Sequence, residues 1–211
     1  KDDYSIKGVT DTQGCVIALL KSVLPLDDKP DVPWTLVVDN FFTWPKILKA
    51  VRDLGVGMFG TSRKPDKSIA HIKSDEHSSK QFNTCFYGTD QYGTRVYKWR
   101  DNGDVYLVST IHKELSVVER DRKRPRATIK NSSHVDLVWG DGYKALLKIP
   151  RFVNDYNFWM GAVDRCDQMM ATFALPHRCY RDWLPLFKHL LDLTRANSWI
   201  AYRNVHKETF D

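Results

Sequence analysis

Three aspartates offer the clearest chemistry in this chain. Asp39 closes the run Trp34-Thr35-Leu36-Val37-Val38, an apolar, β-prone stretch, and Asn40 follows it. An acid directly after a buried strand stands at the carboxyl edge of a sheet, where α/β proteins usually build their sites. Burying a carboxylate there is costly unless a cation or hydrogen-bond donors meet it. The competing reading of Asp39 is a helix cap or a turn closure. Asp164 and Asp167 lie three apart in Gly161-Ala162-Val163-Asp164-Arg165-Cys166-Asp167, so a helix puts both on one face. On that helix Val163, Met170 and Phe173 are the candidates for the buried side. Like charges this close repel unless a divalent cation or an arginine neutralises them. An exposed acidic pair on a solvated helix is the plain alternative. More than half the chain separates Asp39 from the pair, so only a fold can join them.

Cations and aromatics form a second layer. Arg63 and Lys64 follow a second β-prone run and would stand at the same sheet edge, as phosphate contacts or as a solvated turn. The segment His177-Arg178-Cys179-Tyr180-Arg181-Asp182-Trp183 mixes cations with aromatics ahead of a helical pattern. Such a mixture suits a nucleic-acid backbone, with Arg178 and Arg181 as its contacts; a packed helix start is equally consistent. The seven tryptophans are expected in the core rather than as base-stacking platforms. No two histidines stand at ligand spacing.

The elements that must position these groups are readable. Residues 12–24 carry a helical apolar pattern that Pro25 stops, and residues 34–38 form a strand of the kind buried on both faces. Residues 43–54 follow as a helix, with Thr43 as cap, Pro45 in the first turn and Gly55 as closure. Residues 56–61 give another strand. Alternation of this kind indicates an α/β core whose opening segment spans 1–64. From 65 to 150 the pattern becomes mostly β, with strands expected near 83–88, 94–100 and 104–111 and a hairpin turn at Asn102-Gly103. This stretch reads as an inserted subdomain. Within it, residues 120–130 hold six basic side chains and one acid and are expected to be a solvated loop or arm. Helical patterns over 155–173 and 182–206 close the chain, so residues 151–211 return to the core.

Bulk properties narrow the class. The chain has 211 residues, 42% of them hydrophobic, enough for one sizeable core. No apolar run is long enough for a membrane helix, so no membrane partner is expected. Lys1-Asp2-Asp3-Tyr4 carries neither an initiator Met nor a signal pattern, and it reads as a chain entered mid-protein. Cys15, Cys85, Cys166 and Cys179 are scattered, which argues against a zinc site or disulfide framework and for reduced, mostly buried thiols. The net charge of +6 suits a polyanionic partner.

Four segments in fixed order carry a resemblance that weighs these alternatives. Val38-Asp39-Asn40-Phe41-Phe42-Thr43, Gly60-Thr61-Ser62-Arg63, the block from Val153 through Asp155-Tyr156-Asn157 to Asp164-Arg165-Cys166-Asp167-Gln168, and Arg181-Asp182-Trp183-Leu184-Pro185 through Ser198 resemble the transposase domain of the piggyBac family and its domesticated relatives. The likeness covers nearly the whole chain, loosely over 65–145. Ala162 stands where that family usually has Gly, and Phe41 where Trp is common; neither change removes an oxygen ligand.

The resemblance implies an RNase H-like core of the DDE/DDD transposase type, interrupted by an insertion and here N-terminally truncated. It implies that Asp39 and Asp164, with Asp167 alongside, are catalytic metal ligands for Mg2+ or Mn2+ in a two-metal site. It further implies DNA as partner, with transposon ends and TTAA targets, a possible homodimer and a nuclear location. The family's first catalytic Asp lies on a strand well before the Asp39 block, and Asp2, Asp3 and Asp11 lack both strand context and motif. The DNA-binding region and cysteine-rich zinc module of the family are likewise missing from these residues. The expected function is therefore a fragment of a metal-dependent cut-and-paste transposase, silent alone. The alternative is a domesticated or decayed derivative that binds DNA or chromatin without cutting.

Overall fold

The structure, a computed structural model, describes residues 10–24, 34–63, 82–126, 132–172 and 180–206. They fall into two compact units, one ending at Phe158 and one beginning at Trp159.

In the first unit, helix α1 (Asp11–Val23) and strand β1 (Thr35–Val38) precede helix α2 (Pro45–Asp53) and strand β2 (Gly57–Ser62). β1 and β2 pair in parallel, from Thr35 opposite Gly57 to Val38 opposite Gly60, with α2 as the crossover that a parallel pair requires. The α2 start lies two residues later than the sequence suggests: Trp44 is the cap position and Pro45 the first turn, while the Thr43 hydroxyl is engaged elsewhere. Gly55, at φ +79°, turns the chain out of α2 at a conformation other residues rarely adopt.

Strands β3 (Cys85–Thr89), β4 (Arg95–Arg100) and β5 (Asp104–Ser109) form an antiparallel meander. β5 pairs with β2, so the whole forms one five-stranded sheet in the order β1-β2-β5-β4-β3. Among the described residues β1 is therefore an edge strand, half-buried rather than covered on both faces.

Alternate residues of the sheet feed two cores. On one face Met58, Val96 and Val108 pack with Val16, Ile17 and Leu20 of α1 and with Ile47, Leu48 and Val51 of α2. The last three are fully buried, each worth about 1.5–3 kcal/mol in transfer terms. On the other face Tyr97, Trp99 and Leu107 meet Ile149, Phe152 and Val153. These come from a two-stranded ribbon, β6 (Val117–Lys123) with β7 (Lys144–Pro150), and from helix α4 (Arg151–Trp159), which continues directly from β7. Helix α3 (Ser132–Trp139) joins the ribbon strands, and its Val135 and Trp139 pack with Phe82.

The basic stretch at 120–130 is strand through Lys123 rather than a loop, and it is largely exposed. Three of its arginines nonetheless have partners within the chain. Arg120 donates to Asn154 at 2.6 Å, Arg122 pairs with Asp101 at 3.0 Å over the Trp99 ring, and Arg124 pairs with Asp136 at 2.7 Å. Residues 127–130 lie outside the described residues.

The expected helix over 155–173 is two helices. α4 ends at Trp159, and α5 (Ala162–Thr172) begins after Met160 and Gly161, a position where glycine weakens helical continuation by about 1 kcal/mol relative to alanine. In the second unit α5 packs with helix α6 (Trp183–Val205). Val163 is 70% exposed rather than buried, and Phe173 lies outside the described residues. Of the seven tryptophans only Trp99 and Trp139 are buried, against the expectation of a tryptophan-rich core. Cys15 is exposed, and Cys85 and Cys166 are intermediate, against the expectation of mostly buried thiols; Cys179 lies outside the described residues. No described helix is long and apolar enough to cross a membrane.

Candidate functional site

Because β1 and β2 run in parallel and in register, the residues after each strand emerge at one edge of the sheet. Asp39 comes one residue after Val38, and Arg63 three after its partner Gly60, so acid and cation share the carboxyl edge. Both are exposed. The Phe41 amide donates to Asp39 Oδ1 at 2.6 Å, and the Phe42 amide to the Asp39 carbonyl at 3.2 Å. The turn-closing role weighed from sequence is thus real, but it uses one carboxylate oxygen. Among the described residues Asp39 makes no ion pair, and Oδ2 has no hydrogen-bond partner. Phe41 and Trp44, each about half exposed, flank the turn. Lys64 and Arg178 lie outside the described residues.

Two threonines fix the turn. Thr43 is buried, and its hydroxyl donates to the Thr61 carbonyl at 2.5 Å, with the Asn40 carbonyl a looser acceptor at 3.2 Å. The approach of the two strand ends leaves no room at Gly60: a Cβ there would collide with the Val38 carbonyl oxygen and the Thr43 methyl. Glycine is required because of close backbone approach, not for backbone conformation.

α4 is attached to the sheet through two contacts that composition and spacing do not single out: one at this edge and one beyond the end of β5, which runs antiparallel to β2. The Tyr156 hydroxyl meets the Thr61 hydroxyl at 3.2 Å. His112 Nε2 meets Asp155 Oδ2 at 3.1 Å, while Arg151 approaches the same carboxylate at 4.0 Å. His112 is pinned between sheet and helix, edge-on to Phe59 and Phe152, and its Nδ1 lies 2.8 Å from Ser109 Oγ. Ser109 Oγ already accepts the Ile111 and His112 amides, so its own proton goes to Nδ1. With Nδ1 accepting there, Nε2 is the ring nitrogen that donates to Asp155. The only usable signal in the sequence is the Asp155-Tyr156-Asn157 block itself, and its spacing assigns no role to any of the three.

In the second unit, Asp164 and Asp167 are exposed on α5, three apart as the spacing required. Asp164 lies in the first turn, where an acid also complements the helix dipole. Neither makes an ion pair among the described residues. Arg181 is exposed ahead of α6, and its carbonyl accepts the Leu184 amide at 3.1 Å. Among the described residues no three acidic, histidine or cysteine side chains are grouped closely enough to hold a metal ion. The donor chemistry nonetheless fits a hard divalent cation: all three acids keep carboxylate oxygens unspent.

Comparison with known proteins gives this arrangement a lineage. A family model described as Transposase IS4 matches residues 10–199. The chain belongs to that transposase family, on its piggyBac branch. Human piggyBac transposable element-derived protein 3 is 25% identical over 179 residues, covering 83% of this chain and 27% of that protein. The human chimeric ERCC6-PGBD3 protein matches at the same identity over 15% of its length. This piggyBac-type chain thus spans about a quarter or less of the curated relatives it matches. Its fold is similar to that of a piggyBac transposase solved by cryo-EM in a synaptic complex with hairpin DNA. The TM-score is 0.68 at 19% identity, over 97% of this chain and 37% of that one. The mixed α/β architecture is shared with that transposase.

Proposed function

We propose that this piggyBac-type chain is part of a metal-dependent DNA transposase of the cut-and-paste kind, with an RNase H-like core. The observation that carries the reading is Asp39. In a transposase-family chain, an exposed carboxylate with one oxygen unspent stands at the carboxyl edge of the parallel β1–β2 pair, the edge where Arg63 also emerges. Asp164 and Asp167 supply the remaining acids of this chain, and their convergence with Asp39 is part of the proposal. A third essential carboxylate comes from a strand that pairs along the open edge of β1, so the 211 residues are silent alone. Mg2+ or Mn2+ would be held by Asp39, Asp164 and Asp167, and bound there it would activate the attacking oxygen and stabilise the leaving one.

Arg63 at the sheet edge with Lys64 next to it in sequence, and Arg178 and Arg181 ahead of α6 in sequence, take the DNA backbone. Transposon ends joined at TTAA targets, a nuclear location and a dimeric assembly complete the proposal. What supports DNA as the partner is the family match together with the fold shared with a transposase solved on hairpin DNA.

The test is Mn2+ titration followed by electron paramagnetic resonance on the chain and on Asp39→Asn and Asp164→Asn, with Mg2+-dependent nicking of element-end DNA assayed in parallel. Mn2+ uptake lost in either variant, with no nicking by the wild type, is the expected result. Uptake indifferent to both substitutions would overturn the metal site, and specific nicking by the chain would overturn its silence.

A further inference from the structure

Phe41 and Trp44 stand just after Asp39, and the fold leaves both rings about half exposed. Phe42 between them shows that the same turn can hide an aromatic, since it packs against the core of α1 and α2. Phe41 and Trp44 are not drawn into that core. Their backbone is nevertheless well fixed. The Phe41 amide donates to Asp39 Oδ1, and the Thr43 hydroxyl ties the turn to the Thr61 carbonyl. Trp44 is extended, at φ −87° and ψ 139°, as a residue before proline prefers. Its carbonyl accepts the Ile47 and Leu48 amides of α2. Phe42 braces the Phe41 ring edge-on, with centroids 5.0 Å apart.

Two exposed rings on a fixed backbone offer flat apolar faces at little entropic cost, since an aromatic side chain has few torsions to freeze. Leaving them in water forgoes the gain of burial, and a partner that covers them recovers it. The surroundings narrow what that partner is. Arg63 emerges from the same sheet edge, exposed and without an ion pair among the described residues, and it suits a phosphate. The net charge of +6 favours a polyanion. A polyanion that also carries flat rings is a nucleic acid. Inside a duplex each base is already stacked on its neighbours, whereas an unpaired base has a face to give. The ligand of these rings is therefore an unpaired base at an end or a hairpin tip, not a base within a duplex.

We propose that Phe41 and Trp44 form a stacking platform for an unpaired DNA base, beside the strand ends that bear Asp39 and Arg63. This rests on the reading of the chain as a DNA transposase. All four residues belong to the first unit, so the platform needs nothing from the second. Arg63 holds a phosphate whatever the sequence, while the rings favour DNA whose bases are free to stack.

The experiment is fluorescence anisotropy of the 211-residue chain on labelled duplexes that differ only at one end. One carries a short unpaired thymine overhang. The other carries an abasic overhang of equal length, which keeps the phosphates and removes the rings. The expected result is roughly tenfold tighter binding of the thymine overhang. Phe41→Leu and Trp44→Leu should bring that margin close to one without altering the salt slope. Trp44→Phe, which keeps a ring, should retain much of it, and Arg63→Ala should weaken both DNAs alike. Thermal unfolding of each variant reports the folded fraction. Equal binding of the two overhangs by the wild type would overturn this inference alone, since the phosphate contacts would remain. A margin that survives both leucine variants would overturn it as well, as would one that falls only in step with lost folded protein. Failure to bind either DNA would remove the DNA reading and this inference with it.

Discussion

Tyr156 and Thr61 are 95 positions apart in sequence and meet hydroxyl to hydroxyl at 3.2 Å. The contact joins two of the motif blocks to each other, and through Thr43 it reaches a third. Ordered motifs far apart in the chain are here one connected polar structure on the rim of a sheet.

Gly60 is the most constrained position in that structure. Gly60→Ala should destabilise the first unit by about 1–3 kcal/mol, since β1 and β2 must separate to admit a methyl group. Urea denaturation followed by tryptophan fluorescence would measure it. A midpoint equal to wild type would show that the strand ends have room to spare at this position.

Arg63 bears on DNA rather than on the fold. It is exposed and makes no ion pair among the described residues, so Arg63→Ala should leave the melting temperature unchanged. Affinity for duplex DNA should fall uniformly across sequences, and the slope of log affinity against log salt should drop by about one. Fluorescence anisotropy over a salt series reads both quantities. An unaltered slope would remove Arg63 from the interface.

Alkaline pH should weaken the first unit. Burial pushes the Cys85 thiol up to about 12 from its ordinary 9.0. Burial likewise pushes the Tyr97 phenol to about 12 from 10.0, against the opposing pull of Arg95. Both groups ionise more readily in the unfolded chain, so their contribution is complete below about pH 9 and is lost as pH rises toward about 12. Urea midpoints measured from about pH 8 upward should decline, and less steeply in Cys85→Ala. A flat profile in the wild type would contradict the burial. The exposed Cys15 should meanwhile react with maleimide much faster than Cys85 at about pH 8.

Arg122 tests the reassignment of the basic stretch. Its guanidinium lies 5.0 Å from the Trp99 ring centroid and 3.0 Å from Asp101. Arg122→Ala should cost about 1–2 kcal/mol of stability through lost stacking and pairing, with no change in DNA affinity. A double-mutant cycle with Asp101→Ala separates the pair from the stack. A stable variant with weakened DNA binding would restore the solvated arm.

The α/β alternation was legible because α1, α2, β1 and β2 each carry their own period and their own stops at Pro25, Pro45 and Gly55. The meander was legible strand by strand, but its place was not. Nothing local in Asp104–Ser109 says that its partners are β4 and β2. The arginines of β6 failed for a related reason: charge density suggested solvent, while Asp101, Asn154 and Asp136 wait elsewhere in the chain to receive them. The long helical pattern over 155–173 concealed its own interruption, since one glycine leaves the apolar period on either side intact. At the site, residue types and spacing found Asp39, Asp164, Asp167 and Arg63. The roles of His112 and Tyr156 were invisible because their partners are remote.

The free side of β1 has a practical meaning for anyone handling this protein. Thr35–Val38 carries no charge and no proline, the residues that ordinarily keep an exposed strand from recruiting a stranger. With one neighbour among the described residues, it offers a row of amides and carbonyls to whichever extended segment arrives first. Preparations of these 211 residues should therefore grow stickier with concentration, and a peptide or co-expressed strand that occupies this side should keep them dispersed.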